Sequence, residues 1–218
     1  MKILITCSTS VTGKKLLESL SQDFETTSTD VSDSNSDEFS VCQLDHDQQT
    51  DNLVEGVDLI VNVGYGGQSG DDRKLIDYHT RCIYNLLTAA SNAGVKRVIN
   101  LSTLKLYESL TENLAVTENW ATQPNPNDVN VLCAHLCEMV VKEFARDNKF
   151  QVTNLRLGFN IGDKECSSTI TDNDFIHAVK SSINANPNVP WEVIHVQSKV
   201  PNQRFITRYS QSVLGVPE

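Results

Sequence analysis

Positive charge is scarce in this sequence. The chain has 18 Lys and Arg residues against 28 Asp and Glu residues, so its formal net charge is −10 and its pI is near 4.9. This balance argues against a basic surface for nucleic acid and against attraction to anionic membranes. No apolar run is long enough to span a bilayer, and residues 3–5 are too few for the core of a signal peptide. We therefore expect neither nucleic acid nor a membrane as a partner.

Paired cysteine motifs are also missing. Six cysteines occur in 218 residues, with no CxxC pair and no regular spacing, which indicates reduced thiols and a cytoplasmic location. Cys133, His135 and Cys137 fall within one predicted helix, where positions 133 and 137 share a face and position 135 points elsewhere. Because these three side chains do not easily converge on one ion, no metal site is predicted.

Strand and helix patterns alternate along the chain. Predicted strands cover residues 2–6, 24–29, 41–44, 57–63, 95–101, 151–157 and 191–196, and predicted helices follow Gly13 and cover 47–54, 72–92, 129–146, 171–182 and 204–213. This alternation is typical of a Rossmann-type α/β fold, a doubly wound parallel sheet that binds ligands at the carboxyl ends of its strands. We expect residues 1–162 to form this core and residues 163–218 to form a short C-terminal extension packed on it, in one compact unit.

The segment at residues 84–103 is the most specific motif. It reads YNLLTAASNAGVKRVINLST and stands between VDLIVNV at 57–63 and LRLGFNIG at 155–162. Together these segments resemble the extended short-chain dehydrogenases/reductases, the NAD-dependent epimerase/dehydratase family. The C-terminal pieces look most like compact members such as uronate dehydrogenases. The resemblance implies a core that binds NAD(P), a Ser/Thr–Tyr–Lys catalytic set, and a sugar or nucleotide sugar as substrate.

The family's phosphate-binding turn has the pattern GxxGxxG, and here only its third glycine remains. The turn consists of Cys7, Ser8, Thr9, Ser10, Val11, Thr12 and Gly13. A Cβ atom at positions 7 and 10 crowds the approach of a pyrophosphate to the backbone, although Cys and Ser are small. The following helix still offers N–H groups to an anion, and the hydroxyl groups can add contacts. The turn thus either binds a dinucleotide or remains only as a connection.

Asp30 ends the predicted second strand, 17 positions after Gly13. A carboxylate there accepts hydrogen bonds from both hydroxyls of an NAD ribose and repels the extra phosphate of NADP, so NAD is favoured over NADP. The alternative is one more acid in the acidic loop at 28–40. The resemblance also assigns Gln43 and Leu44 to the adenine, and Val63, Gly64 and Tyr65 to the pyrophosphate and nicotinamide ribose. Tyr65 is bulky enough to intrude.

The catalytic set of the family is incomplete in this sequence. Thr103 occupies the Ser/Thr position, but Val131 stands where the family has Tyr and His135 where it has Lys. No Tyr of the chain has Lys four residues later. Val131 cannot transfer a proton, and the loss of a positioned acid or base costs about 10²- to 10⁴-fold in rate. His135, one helical turn away, or Tyr107 can substitute only with a different substrate pose, and the alternative is that both are structural.

Three functions remain open from the sequence. The first is a dinucleotide-binding protein that is catalytically impaired and acts as a sensor or regulatory pseudoenzyme. The second is a divergent NAD-dependent oxidoreductase or epimerase that acts on a sugar or nucleotide sugar through Thr103 and a displaced acid or base. The third is an interaction module without a dinucleotide. The predicted helices 72–92 and 129–146 have broad apolar faces, and the resemblance implies a homodimer formed through them.

Overall fold

The computed structural model describes residues 1–31, 40–68, 70–110, 115–158, 160–161 and 168–215. Parallel strands form one seven-stranded sheet in the order β3-β2-β1-β4-β5-β6-β9, and β7 and β8 pair separately. The strands are β1 (Lys2–Ile5), β2 (Glu25–Asp30), β3 (Ser40–Val41), β4 (Leu59–Val63), β5 (Arg97–Thr103), β6 (Gln151–Leu157), β7 (Asn160–Ile161), β8 (Thr169–Ile170) and β9 (Trp191–Val196). The chain order reverses between the neighbours β1 and β4. The predicted Rossmann-type α/β fold is confirmed.

Helices cover the sheet, and polar side chains cap the N-termini of several of them. They are α1 (Val11–Leu20), α2 (Gln48–Leu53), α3 (Asp72–Asp77), α4 (Ile83–Ala93), α5 (Val129–Arg146), α6 (Asp172–Asn184) and α7 (Arg208–Leu214). Asp128 caps α5 by accepting hydrogen bonds from the backbone N–H groups of Asn130 and Val131. Gly94 ends α4 in the left-handed region, at φ 87°, as glycine readily does. None of the helices described is long and apolar enough to cross a membrane.

The predicted helix at 72–92 is not continuous. A π-helical turn, Tyr78–Cys82, separates α3 from α4. The wider turn lets the adjacent side chains of Tyr78 and His79 both face the interior, which a regular α-helix does not favour. The Tyr78 hydroxyl thereby reaches the Sγ atom of Cys7 at 3.1 Å. The sequence pattern predicts a buried face of Leu75, Ile76, Ile83, Leu86, Leu87 and Ala90. All of these are buried except Ile76, which is 36% exposed, and the pattern does not predict the π-helical turn.

Two other predicted boundaries also differ from the structure. The third strand is β3, which is shorter than the predicted 41–44 and begins one residue earlier. The last helix begins at Arg208 rather than at 204, because residues 204–206 pair with Val116 through two backbone hydrogen bonds of 3.0 and 2.9 Å. The division of the chain at residue 162 stays a prediction, although β9 pairs with β6 and belongs to the same sheet.

A row of buried amides crosses the sheet beneath α5. Thr6 follows β1, and its hydroxyl donates to the Oδ1 atom of Asn62 in β4 at 3.0 Å. The Nδ2 atom of Asn62 donates to Asn100 in β5 at 2.8 Å, and Asn100 in turn donates to Asn154 in β6 at 2.7 Å. All four side chains are almost fully buried. Since an unpaired buried amide is costly, the row favours a single register of the four strands.

The amide row ends at a buried ion pair. Glu138 of α5 accepts a hydrogen bond from Asn154 at 3.0 Å and two from Arg156 of β6 at 2.9 and 2.7 Å. Glu138 is 0% exposed and Arg156 is 6% exposed. Burial raises the pKa of the Glu138 carboxyl, but the hydrogen bonds and charge of Arg156 outweigh burial and leave this pKa below its ordinary value. The carboxylate thus ties α5 to the sheet.

We predict that Glu138→Leu destabilises the fold by about 3–5 kcal/mol, because it leaves the Arg156 charge buried without a partner. Chemical denaturation measures this change. Glu143→Gln, at an exposed position of the same helix, is the control and costs less than about 1 kcal/mol. Adding Arg156→Met to Glu138→Leu restores most of the loss if the ion pair is its cause. Equal losses for Glu138→Leu and Glu143→Gln would contradict the prediction.

Candidate functional site

The turn after β1 keeps its shape without two of the family's glycines. Cys7 adopts φ 53°, a left-handed conformation that is costly for a residue with a Cβ atom. Ser10 closes the turn, since its Oγ atom donates to the Cys7 carbonyl at 2.7 Å and accepts from the Gly13 N–H at 2.9 Å. At Gly13 a Cβ atom would collide with the Cys7 carbonyl oxygen, so only glycine fits there. The helix α1 begins at Val11 rather than after Gly13 as predicted, so residues 11–13 form its first turn at the carboxyl edge of the sheet.

The side chain of Cys7 points inward and is 0% exposed. Its Sγ atom lies 3.1 Å from the Tyr78 hydroxyl and accepts a hydrogen bond from Gln68 Nε2 at 3.4 Å. Burial raises the pKa of the Cys7 thiol to about 12, so the thiol is neutral at physiological pH. A Cβ atom built at Gly67 would lie 2.8 Å from both Cβ and Sγ of Cys7. The backbone at Gly67 therefore passes directly over the thiol.

The carboxylate of Asp30, 2% exposed, is fully engaged within the chain. Its Oδ2 atom accepts from the backbone N–H of Thr9 at 2.9 Å and from the Thr9 hydroxyl at 2.6 Å. Its Oδ1 atom accepts from Gln68 Nε2 at 2.8 Å and from the Val31 N–H at 2.7 Å. Asp30 is thus a buried hub between the turn after β1 and the loop after β4, not a solvated acid of the loop at 28–40.

The residues predicted for the adenine lie beside the end of β2. Gln43 is exposed, and its Nε2 atom donates to the carbonyl of Val31 at 3.0 Å. Leu44 is 1% exposed, has φ 52°, and accepts a hydrogen bond at its carbonyl from Asn85 at 3.0 Å. The side chain of Leu44 therefore packs in the core, whereas the amide of Gln43 faces the edge of the sheet.

The loop after β4 combines a closely packed glycine with an aromatic ring. A Cβ atom at Gly64 would lie 2.8 Å from Asn100 Oδ1, so this position requires glycine. Val63 is 0% exposed and packs in the core. The half-buried ring of Tyr65 packs on a small cluster made of Leu106, Val131 and Ala134.

The predicted catalytic positions have largely structural contacts. Thr103 is 1% exposed, and its Oγ1 atom accepts from the backbone N–H of Lys105 at 3.2 Å. Val131 is 0% exposed and covered by Tyr65. His135 is half-buried, and its Nδ1 atom lies 3.0 Å from the Thr122 hydroxyl. The structure therefore brings Thr103 and Val131 to the same edge of the sheet, and no described hydrogen bond links His135 to either of them.

Tyr107, the other candidate base, is held in the core. It is 0% exposed, its hydroxyl donates to the carbonyl of Trp120 at 3.2 Å, and it also accepts a hydrogen bond from Arg156. Burial raises the pKa of Tyr107 to about 12, in spite of the neighbouring Arg156. These contacts match the structural alternative for this residue.

Sequence reasoning missed a pairing of Tyr65 with Lys105. The two side chains are hydrogen-bonded to each other, one after β4 and the other after β5. Burial raises the pKa of the Tyr65 phenol, and Lys105 offsets only part of this effect. Burial lowers the pKa of Lys105, but its interactions with Tyr65, Asp128 and Glu108 outweigh burial and leave this pKa above its ordinary value. The ammonium of Lys105 therefore stays charged. The pair can hold or release one proton beside Thr103 and above Val131.

The hydrogen-bonding groups of this site fit a dinucleotide only when two side chains, those of Gln68 and Thr9, release Asp30. Asp30 and the N-terminus of α1 are positioned as a ribose and a pyrophosphate require. However, the hydrogen bonds from Gln68 and Thr9 use the acceptor positions of Asp30 that the two ribose hydroxyls need. Gln68 must therefore leave Asp30 before the ribose can bind there. Among the described residues, no cluster of three metal-ligating side chains is found.

Comparison with known proteins agrees with this topology. A model of the NAD dependent epimerase/dehydratase family matches residues 3–199. A search of curated proteins finds no match. Similar solved structures include a uronate dehydrogenase from Agrobacterium tumefaciens, which is 17% identical, with 100% of this chain and 84% of that one covered and a TM-score of 0.84.

Two further solved structures share the fold. One is a short-chain dehydrogenase/reductase superfamily protein from Agrobacterium tumefaciens with bound NAD. It is 17% identical, with 99% of this chain and 92% of that one covered and a TM-score of 0.78. The other is a UDP-galactose 4-epimerase, at 13% identity, 99% and 93% coverage and a TM-score of 0.77. Likeness at these identities establishes the fold, while the family model spans most of the sequence. The chain belongs to the NAD-dependent epimerase/dehydratase family.

Proposed function

We propose that this protein binds NAD(H) at the carboxyl edge of its sheet and is catalytically impaired, so that it acts as a sensor or regulatory pseudoenzyme. The observation that carries the proposal is the full burial of Val131, which the sequence resemblance aligns with the family's proton-transferring Tyr. Val131 has no titratable group, and the ring of Tyr65 covers it. Asp30 and the turn at 7–13 retain groups that favour a dinucleotide.

The proposed preference for NAD over NADP rests on Asp30. Its carboxylate repels an added ribose phosphate, and none of its described hydrogen-bond donors, which come from Thr9, Val31 and Gln68, is an arginine that could bind that phosphate. The reduced thiols and the absence of basic surface support a further proposal, a cytoplasmic location without nucleic-acid partners. A sugar or nucleotide sugar is the proposed small-molecule partner of the impaired site.

Thermal melting with NAD⁺, NADH, NADP⁺ and NADPH tests the cofactor proposal. A ligand at 100 times its dissociation constant stabilises by about 2.7 kcal/mol, which raises Tm by about 5–11 °C for a chain of this length. We predict such a shift with NAD⁺ or NADH and a smaller one with the phosphorylated forms.

Asp30→Asn should lose most of the Tm increase caused by NAD, because it removes the carboxylate charge that accepts the hydrogen bonds of the ribose hydroxyls. The matched control Asp147→Asn, at an exposed position after α5, should keep the shift. If no dinucleotide shifts Tm at millimolar concentration, the proposal is wrong and an interaction module becomes the better interpretation.

A second candidate function is a divergent NAD-dependent oxidoreductase or epimerase. The observation that favours it is the interaction of the Tyr65 phenol with the Lys105 ammonium, two residues after Thr103. The backbone N–H of Lys105 also donates to Thr103 Oγ1. Bound NAD would accept or supply the hydride. Tyr65 would then exchange the proton at the substrate oxygen, while the charge of Lys105 would stabilise the phenolate. The raised pKa of the Tyr65 phenol suits a proton donor better than a base at neutral pH.

Turnover of uronates and UDP-sugars with NAD⁺ separates the two candidates. If Tyr65 transfers the proton, Tyr65→Phe lowers kcat by about 10²- to 10⁴-fold. The melting shift caused by NAD⁺ should remain. Tyr84→Phe is the control, because Tyr84 is 55% exposed on α4. The first proposal predicts no turnover by the wild-type protein, and turnover that Tyr65→Phe leaves intact would contradict the role of Tyr65.

We further propose a homodimer formed through α4 and α5. Apolar side chains remain exposed on this side of the molecule: Ile76 at 36%, Tyr84 at 55% and Met139 at 38%. The ring of Tyr84 also lies 5.6 Å from that of Phe144, which extends the apolar surface. Such a face is stabilised when a second copy covers it.

Sedimentation at micromolar concentration tests the dimer. We predict that the wild-type protein sediments as a dimer and that Tyr84→Glu shifts it to monomer, because the carboxylate would be buried without a partner. Val189→Glu, at a position that is 46% exposed outside this face, should leave the dimer intact. A monomeric wild-type protein would contradict the prediction.

A further inference from the structure

The segment at residues 64–68, called the strap here, runs from the end of β4 across the end of β1 to the end of β2. Its start is fixed at Gly64, which packs against Asn100 and the Leu101 carbonyl. Its far end is fixed by Gln68, whose amide donates to Asp30 Oδ1 at 2.8 Å. Dinucleotides in this fold lie along the same edge of the sheet, at the reversal of strand order.

Close packing between Gly67 and Cys7 allows the strap to lie directly against the end of β1. A Cβ atom at Gly67 would lie 2.7 Å from Val63 Cγ1 and 2.8 Å from Cys7 Sγ, so only glycine can pass there. Gly66 has φ 64°, which turns the chain toward the end of β2. Gln68 Nε2 also donates to Cys7 Sγ at 3.4 Å. The thiol at the first-glycine position is therefore part of the surface on which the strap rests.

Asp30 cannot serve the strap and a ribose at the same time. A carboxylate has about four acceptor positions. Thr9 supplies two donors, Val31 supplies one and Gln68 supplies one. The Val31 and Thr9 backbone bonds belong to the fold itself. The bonds from the Gln68 amide and the Thr9 hydroxyl come from side chains, and these are the two that can give way to the two ribose hydroxyls.

We propose that Gln68 is a latch: it holds the strap closed over the dinucleotide site by occupying Asp30, and it must be displaced when the adenosine ribose binds. The inference rests on the proposed NAD-binding function and assigns the regulation of that site. Closure reduces the apparent affinity in proportion to the fraction of molecules that are open. Binding moves the strap that carries Tyr65 and thereby changes the surface beside α5. Such a change is what a sensor of NAD occupancy requires.

Calorimetric titration with NAD⁺ and with ADP-ribose compares wild type, Gln68→Ala and Gln49→Ala. Gln68→Ala should lower the dissociation constants of both ligands by about 10- to 100-fold, the range expected for the loss of a competing hydrogen bond to a charged group. Gln49→Ala is the control, because it truncates the same type of side chain, removes a hydrogen bond of 2.8 Å to the Val41 carbonyl and leaves Asp30 and Cys7 untouched. Its affinity should equal that of wild type. Unchanged or weaker binding by Gln68→Ala would overturn the latch.

The same titration in an Asp30→Ala background identifies the acceptor. If Gln68 competes with the ribose for Asp30, the gain from Gln68→Ala disappears when Asp30 is absent. A gain that persists there would overturn the competition.

The rate at which iodoacetamide alkylates Cys7, measured by peptide mass spectrometry, tests without any nucleotide whether Gln68 holds the strap closed. The closed strap buries the thiol, so Gln68→Ala should speed labelling at Cys7 relative to Cys137, which is also 0% exposed. If the ratio of the Cys7 to the Cys137 labelling rate is the same in Gln68→Ala and wild type, the latch is overturned.

If neither wild type nor Gln68→Ala binds NAD⁺ at millimolar concentration, the proposed function is wrong. If both bind it equally, NAD binding stands and the latch alone is overturned.

Discussion

The buried row from Thr6 to Arg156 is the interaction on which the arrangement of the site depends. It joins β1, β4, β5 and β6 through side-chain hydrogen bonds and ends at the Glu138 carboxylate of α5. Because the row is almost completely removed from water, a shift of register would leave amide groups and a charge without partners. The row thereby fixes the relative heights of the strand ends. Those heights decide which side chains meet at the carboxyl edge.

The contacts at the edge depend on one another. Cys7 stands where the family has glycine, and its thiol fills space beneath the strap. Gly67 provides the clearance that the thiol needs, and Gln68 uses the resulting position to reach Asp30. A similar pairing occurs at α5, where the small Val131 leaves room for the ring of Tyr65. In each place a residue that departs from the family pattern is packed against a residue that accommodates it.

The sequence was sufficient for the fold because its signals are local. The apolar run at 57–63 and the helix end at Gly94 each reflect the periodicity or backbone needs of a few neighbouring residues. Asp30 was also found from its place at the end of a strand. What the sequence could not reveal were the partners of Asp30 and Tyr65. Gln68 lies 38 positions from Asp30, and only the strand order brings them together.

The described contacts of His135 and Lys105 also add what residue type alone does not give. His135 was considered as a substitute because imidazole titrates near neutral pH, yet its described contact is with Thr122, away from Thr103. Lys105 drew no attention because it belongs to no motif, yet it is the cation that meets a phenol at this edge. Whether that phenol transfers a proton depends on the strap, since Tyr65 and Gln68 are on the same short segment. Displacing Gln68 from Asp30 therefore bears on the position of Tyr65. Under the proposed latch, binding of NAD would therefore act on the position of Tyr65 through five residues of backbone, 64–68.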